Sequence, residues 1–195
     1  MHESTFEAKL LLDTRSVLGE GPVWDWQRQT LYWVDIEGKY LHQLVLETNE
    51  HYFWQLPSMA GAAIPEITGN ILLALEDGLA SFQVANKDFR KHGILKNEDS
   101  KMRYNDGKVG PNGDFYIGSM HKEFDPESGN LYKVTSKGQV SVAIPNTTIS
   151  NGMAWTADKK TFYFSDTENY RIDRYDFDIG GTLLNGKNIK VSFQQ

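Results

Sequence analysis

Leu31-Tyr32-Trp33-Val34, Ile71-Leu72-Leu73-Ala74, Phe115-Tyr116-Ile117-Gly118 and Phe162-Tyr163-Phe164-Ser165 decide the fold of this 195-residue chain. Each is a short aromatic or aliphatic run set among Gly, Asn and Asp, the pattern of a strand. Their first residues lie 40, 44 and 47 positions apart. That is the length of one four-stranded propeller blade, about 40–50 residues. Further strand candidates follow, such as Tyr40-Leu41-His42-Gln43-Leu44-Val45 and Gly129-Asn130-Leu131-Tyr132-Lys133-Val134. Asp77-Gly78, Asn112-Gly113 and Ser136-Lys137-Gly138 supply turns between them. No segment keeps a 3.6-residue apolar period. The reading is an all-β chain folded as a β-propeller, whose blades bury their faces on one another. A β-sandwich with accidental self-similarity is the plain alternative. The units run about 15–56, 57–99, 100–146 and 147–195, four blades of one partial propeller domain. Residues 6–12, Phe6-Glu7-Ala8-Lys9-Leu10-Leu11-Leu12, read as a strand that completes a last blade and closes the ring. Lys190-Val191-Ser192-Phe193-Gln194-Gln195 reads as the middle of a strand.

The first and fourth units superpose at an offset of 131 residues, which lays Leu31-Tyr32-Trp33 on Phe162-Tyr163-Phe164. Trp24 then falls on Trp155, Gly21 on Gly152, Asp35 on Asp166 and Glu20 on Asn151. The repeated Gly, Trp and Asp belong to the scaffold, and Asp35 and Asp166 read as strand-end hydrogen-bond acceptors. Glu20 and Asn151 differ while both remaining oxygen donors. Aligning Phe115 with Leu31 puts Tyr104 at the position of Glu20, with Arg103 and Asn105 flanking it, and Ala60 takes that position in the second unit. If the units are radial, Glu20, Arg103, Asn105 and Asn151 converge on one end of a central channel.

Composition bounds the function. Hydrophobic residues make up 39 % and aromatics 12 %, enough for a packed core. The net charge is −6 with no Lys/Arg run, which argues against nucleic acid and anionic membrane as partners. No apolar stretch approaches the roughly 18 residues of a membrane span. Met1-His2-Glu3-Ser4-Thr5-Phe6-Glu7 lacks the basic start and apolar segment of a secretory signal, so a cytoplasmic address is expected. Without cysteine there is no disulfide, thiolate metal site or thiol nucleophile. The five histidines show no paired zinc spacing, and neither Gly-x-Ser-x-Gly nor a phosphate-binding glycine loop occurs. Asp125-Pro126-Glu127-Ser128-Gly129-Asn130 lacks EF-hand spacing and reads as a hairpin turn.

Leu18-Gly19-Glu20-Gly21-Pro22-Val23-Trp24, Arg103-Tyr104-Asn105-Asp106-Gly107-Lys108, Ser150-Asn151-Gly152-Met153-Ala154-Trp155 and Phe164-Ser165-Asp166-Thr167 resemble signature segments of the SMP-30/gluconolactonase/regucalcin family. The resemblance runs over essentially the whole chain. It implies a six-bladed propeller with one divalent cation in its channel, and for many members hydrolysis of a sugar lactone. It implies Glu20 and Asn151 as metal ligands, and Arg103, Asn105 and Glu123 as substrate contacts. A third ligand, an Asp in a Pro-Asp-Gly segment, is expected beyond Gln195 and is absent here. On this reading the chain matches the first two-thirds of a member, and the 195 residues alone are expected to fall short of full activity.

A carboxylate with an amide oxygen is a hard donor set, suited to Ca²⁺, Mg²⁺ or Mn²⁺, with Zn²⁺ also accommodated. The expected activity of the intact protein is metal-dependent hydrolysis of a small sugar lactone such as gluconolactone. The missing Asp is the expected general base. The competing readings are a non-catalytic propeller that binds Ca²⁺ or a protein partner, and, more distantly, a strictosidine-synthase-like propeller. An exposed blade face also leads to an expectation of self-association through the open propeller edge.

Overall fold

The computed structural model describes residues 7–189. They form sixteen strands in four antiparallel four-stranded sheets arranged as propeller blades, with no helix. Blade 1 comprises β1 (Gly19–Asp25), β2 (Thr30–Asp35), β3 (Tyr40–Val45) and β4 (Glu50–Gln55). Blade 2 comprises β5 (Ala60–Pro65), β6 (Ile71–Leu75), β7 (Gly78–Gln83) and β8 (Asp88–Lys91). Blade 3 comprises β9 (Met102–Val109), β10 (Phe115–His121), β11 (Gly129–Val134) and β12 (Val140–Thr147). Blade 4 comprises β13 (Ser150–Trp155), β14 (Thr161–Asp166), β15 (Arg171–Phe177) and β16 (Leu183–Ile189). The four runs that decide the fold occupy the second strand of each blade, where a strand has neighbours on both edges and both faces are available for burial.

Side chains alternate across a strand, so the second strands of the two middle blades, β6 and β10, each serve two cores, and β2 and β14 serve one each. In β6, Ile71, Leu73 and Leu75 join Tyr32, Val34 and Leu41 between blades 1 and 2. Ala74 of the same strand joins Tyr104, Phe115 and Ile117 between blades 2 and 3. Tyr116, one residue on from Phe115, turns the other way and packs with Met153, Phe162 and Phe164 between blades 3 and 4. Three successive interfaces thus carry the core, and the first strands β1, β5, β9 and β13 lie innermost.

The 131-residue repeat is present in the ladder itself. Glu20 pairs with Val34, and Asn151 pairs with Ser165, in each case just before a β-bulge. The bulge places Gly21 at φ 59° and Gly152 at φ 56°, left-handed backbone that a side chain resists. The Asp35 carboxylate accepts the N–H groups of Val17 and Leu18, both at 2.9 Å. Asp166 accepts those of Thr148 and Ile149 at 3.1 and 2.9 Å. The strand-end role read for both aspartates is what the structure shows.

The ring-closing role expected of residues 6–12 stays a proposal. Residues 7–12 form no strand, and Leu10 and Leu11 are 82 % and 62 % exposed. An extended segment becomes a strand only where another strand's N–H and C=O groups face it, and the strands of a last blade are not among the described residues. Phe6 and the C-terminal run Lys190–Gln195 lie outside the described residues.

Candidate functional site

The bulges at the start of the first strands bring the candidate residues together. Glu20, Asn105, Asp106 and Asn151 line one narrow cleft with Gly21 and Gly61, drawing on all four blades. Its volume is about 10 Å³, room for about one water molecule. Asn105 is buried, whereas the Glu20 side chain reaches solvent. The Asn151 amide donates from Nδ2 to Thr167 Oγ1 at 3.2 Å, and its Oδ1 accepts the Gly152 N–H at 3.0 Å.

In blade 3 the register read from the repeat is present in the ladder, with Tyr104 at the position of Glu20 and Arg103 and Asn105 on either side of it. Tyr104 holds the rung equivalent to Glu20, paired with Ser119 immediately before a bulge. Its ring turns into the core between blades 2 and 3, 5 % exposed, and its hydroxyl donates to the Leu95 carbonyl at 2.9 Å. Burial pushes that phenol well above its ordinary value. The two bulge residues, Asn105 and Asp106, line the cleft instead. Asp106 had no role in the sequence reading. In the ladder, Asn105-Asp106 occupies the bulge that Gly21-Pro22 occupies in blade 1.

Arg103 stands behind Asn105, donating from one guanidinium nitrogen to Asn105 Oδ1 at 2.8 Å and to the Tyr104 carbonyl at 3.0 Å. Burial holds its pKa below the ordinary value, against the pull of Glu37, Glu20 and Glu76. Glu76 is itself engaged, accepting the Met59 N–H at 3.2 Å and pairing with Lys122. Glu123 is not drawn into the cleft. It lies exposed in the turn after β10, its N–H donating to His121 Nδ1 at 3.1 Å. That turn leaves the same end of blade 3 as Arg103, whose partner across the ladder is Met120.

Two carboxylates and two amides on one cleft suit a hard divalent cation better than a soft one. Among the described residues no three His, Cys, Asp or Glu side chains gather into a metal site. Within the chain the fit therefore rests on Glu20 and Asn151, with Asp106 beside them.

Comparison with known proteins agrees with this architecture. A pentonolactonase of Haloferax volcanii is 33 % identical over 168 residues, covering 86 % of this chain and 56 % of the relative. A 6-deoxy-6-sulfogluconolactonase of Pseudomonas putida is 31 % identical over 173 residues, covering 89 % of this chain and 60 % of the relative. The crystal structure of a calcium-binding protein, regucalcin, from Agrobacterium tumefaciens superposes with a TM-score of 0.82 at 31 % identity, covering 89 % of this chain and 58 % of that one. The chain thus spans under two-thirds of the length of these relatives. The model of the SMP-30/gluconolactonase/LRE-like region matches residues 18–195, so the chain belongs to that family.

Proposed function

We propose that the protein is a metal-dependent sugar lactone hydrolase. The observation that carries the reading is the convergence of Glu20, Asn105, Asp106 and Asn151, from blades 1, 3 and 4, on one water-sized cleft. Relatives named for lactone hydrolysis support the substrate class, and the calcium-binding regucalcin supports a divalent cation. Glu20 and Asn151 are the proposed ligands. When bound, the cation supplies Lewis-acid polarisation of the lactone carbonyl and stabilises charge on its oxygen. Arg103 and the free valences of Asn105 donate to the sugar's oxygens and fix its orientation, with Glu123 reaching the substrate from the rim. Asp106 is a further carboxylate lining the cleft, and we propose it as a second candidate for the proton acceptor beside the Asp expected from the resemblance. The third ligand implied by the resemblance is absent from these 195 residues, so full activity is proposed for a protein of the relatives' length and a weaker one for this chain.

The test is hydrolysis of glucono-1,5-lactone followed by proton release, with Ca²⁺, Mn²⁺, Mg²⁺ or Zn²⁺ and after chelation. A Glu20→Gln variant is expected to lose metal-stimulated turnover by about 100-fold or more, on the scale of removing a group that stabilises a transition state. Metal that raises the melting temperature with turnover left at background would favour the binding propeller that the regucalcin likeness suggests. An unchanged rate in Glu20→Gln would overturn the site.

A further inference from the structure

The cleft contains a bridge that the substrate-contact reading of Asn105 leaves unexplained. Asn105 Oδ1 accepts from the Arg103 guanidinium at 2.8 Å, while its Nδ2 donates to the Ser150 carbonyl at 3.0 Å. A guanidinium only donates and a carbonyl only accepts, so the amide has one allowed orientation. Asn105 belongs to blade 3, and Ser150 opens blade 4 one residue before Asn151. Ser150 is fully buried, and Asn105 is 9 % exposed. At the other end of the same interface, the Tyr116 hydroxyl donates to the Gly181 carbonyl at 3.0 Å. The two blades are therefore pinned by buried polar bonds at both ends, and the pin at the cleft end sits directly against a proposed ligand.

We infer that Asn105 is a positioning residue, which holds the backbone of Asn151 in place and links it to Arg103. The Asn151 segment needs such a brace. Its strand is interrupted by the bulge, Gly152 is left-handed there, and the following N–H turns back to the Asn151 side chain. A buried hydrogen bond to the preceding carbonyl removes the freedom that the bulge would otherwise leave, and breaking it strands a buried acceptor. The arrangement also couples two tasks. Any ligand that draws the Arg103 guanidinium away from Asn105 loosens the amide that fixes Asn151, and whatever is held at Asn151 responds.

The experiment is nitrogen-15 relaxation on the 195-residue chain without metal, reading backbone order at Asn151 and Gly152 against Phe162 and Phe164 in the core of blade 4. Asn105→Ala removes both bonds. Asn105→Asp keeps an oxygen for Arg103 and replaces the N–H to Ser150 with a carboxylate oxygen that faces its carbonyl. Both variants are expected to lower the order parameter at residues 151 and 152 from about 0.85 to about 0.6, leaving Phe162 and Phe164 rigid. Unchanged order at Asn151 in both variants, or an equal loss at the core positions, overturns the inference. A second arm rests on the cation reading above. With Mn²⁺ as the probe, Glu20→Gln is expected to abolish binding and Asn105→Ala to weaken it about tenfold, the lower end of what losing an outer support of a ligand costs. Mn²⁺ binding that does not depend on Glu20 would sink the cation reading alone, and the relaxation arm would still decide the bridge.

Discussion

The Asp35 carboxylate shows how one residue determines where a blade begins. It is 4 % exposed and accepts N–H groups from Val17, Leu18 and Gly38. Burial alone would raise its pKa, but the three N–H groups outweigh burial and hold it below the usual carboxylate value. The sign follows. With the folded pKa lowered, the stability Asp35 contributes is present above the unfolded value, about 3.9, and is lost as pH falls through the folded one. Asp35→Asn keeps the shape but turns an NH₂ group towards N–H donors, so a loss of about 1–3 kcal/mol is expected in urea unfolding at pH 7. Asp166 serves the same purpose in blade 4, at the offset read from the sequence. Such roles are legible because a hydrogen-bonding position repeated in register stays chemically fixed. Tyr104 and Asp106 were not legible. Which of three consecutive residues faces a channel depends on a bulge, and a bulge has no side-chain signature of its own.

Within blade 1, β3 and β4 carry an unusual aromatic column. His42 and His51 lie edge to edge in nearly one plane, their centroids 5.2 Å apart and their rings 3° apart, with Trp33 stacked on both and Phe53 beside them. His42 Nδ1 and His51 Nε2 are 3.0 Å apart, and His42 Nε2 is buried without a partner. The tautomer with the proton on His42 Nδ1, donated to His51, is the one that strands no N–H at the buried Nε2. Burial lowers both histidines; the neighbouring His51 lowers His42 further, while Asp35 opposes. Stability from this pair is accordingly complete above the unfolded value of about 6.5 and declines as pH falls through the folded ones. The urea midpoint is expected to drop between pH 8 and pH 5, and His42→Phe, which keeps the stack, to remove much of that drop. A pH-independent midpoint in the parent chain would contradict the arrangement. The strands themselves were readable from alternation and turns, whereas the histidine pair was not. Residues nine apart meet only because the β3–β4 hairpin aligns them diagonally.

At the scale of the molecule, blades are held by close backbone approach as much as by side chains. A Cβ added to Gly61 would lie 2.3 Å from the Asn105 carbonyl oxygen and 2.5 Å from the Tyr104 carbonyl carbon. Neither is a flexible side chain, so Gly61→Ala must separate β5 from β9. The expected loss is about 3 kcal/mol, with the cleft opened and Mn²⁺ affinity reduced. A stability within experimental error of the parent would show that the blades yield more easily than this packing implies. Blade 1 turns an aromatic face away from blade 2, with Phe53 60 % and Trp24 42 % exposed. Self-association of the 195-residue chain through that face is the expected outcome in sedimentation velocity, shifting towards monomer in Phe53→Glu. A parent chain that stays monomeric across the accessible concentrations would rule it out. The sequence by itself determined the all-β class, the blade period, the family, and the pairing of Glu20 with Asn151. These follow from alternation and repetition, which are local properties of a strand and its turn. Only the tertiary structure decided that Tyr104 packs inward, that Asp106 enters the cleft, that Glu123 stays outside it, and that Asn105 ties blade 3 to blade 4. Each of those depends on where one sheet lies against the next, and side-chain direction at a bulge is set by that packing rather than by the residues in sequence.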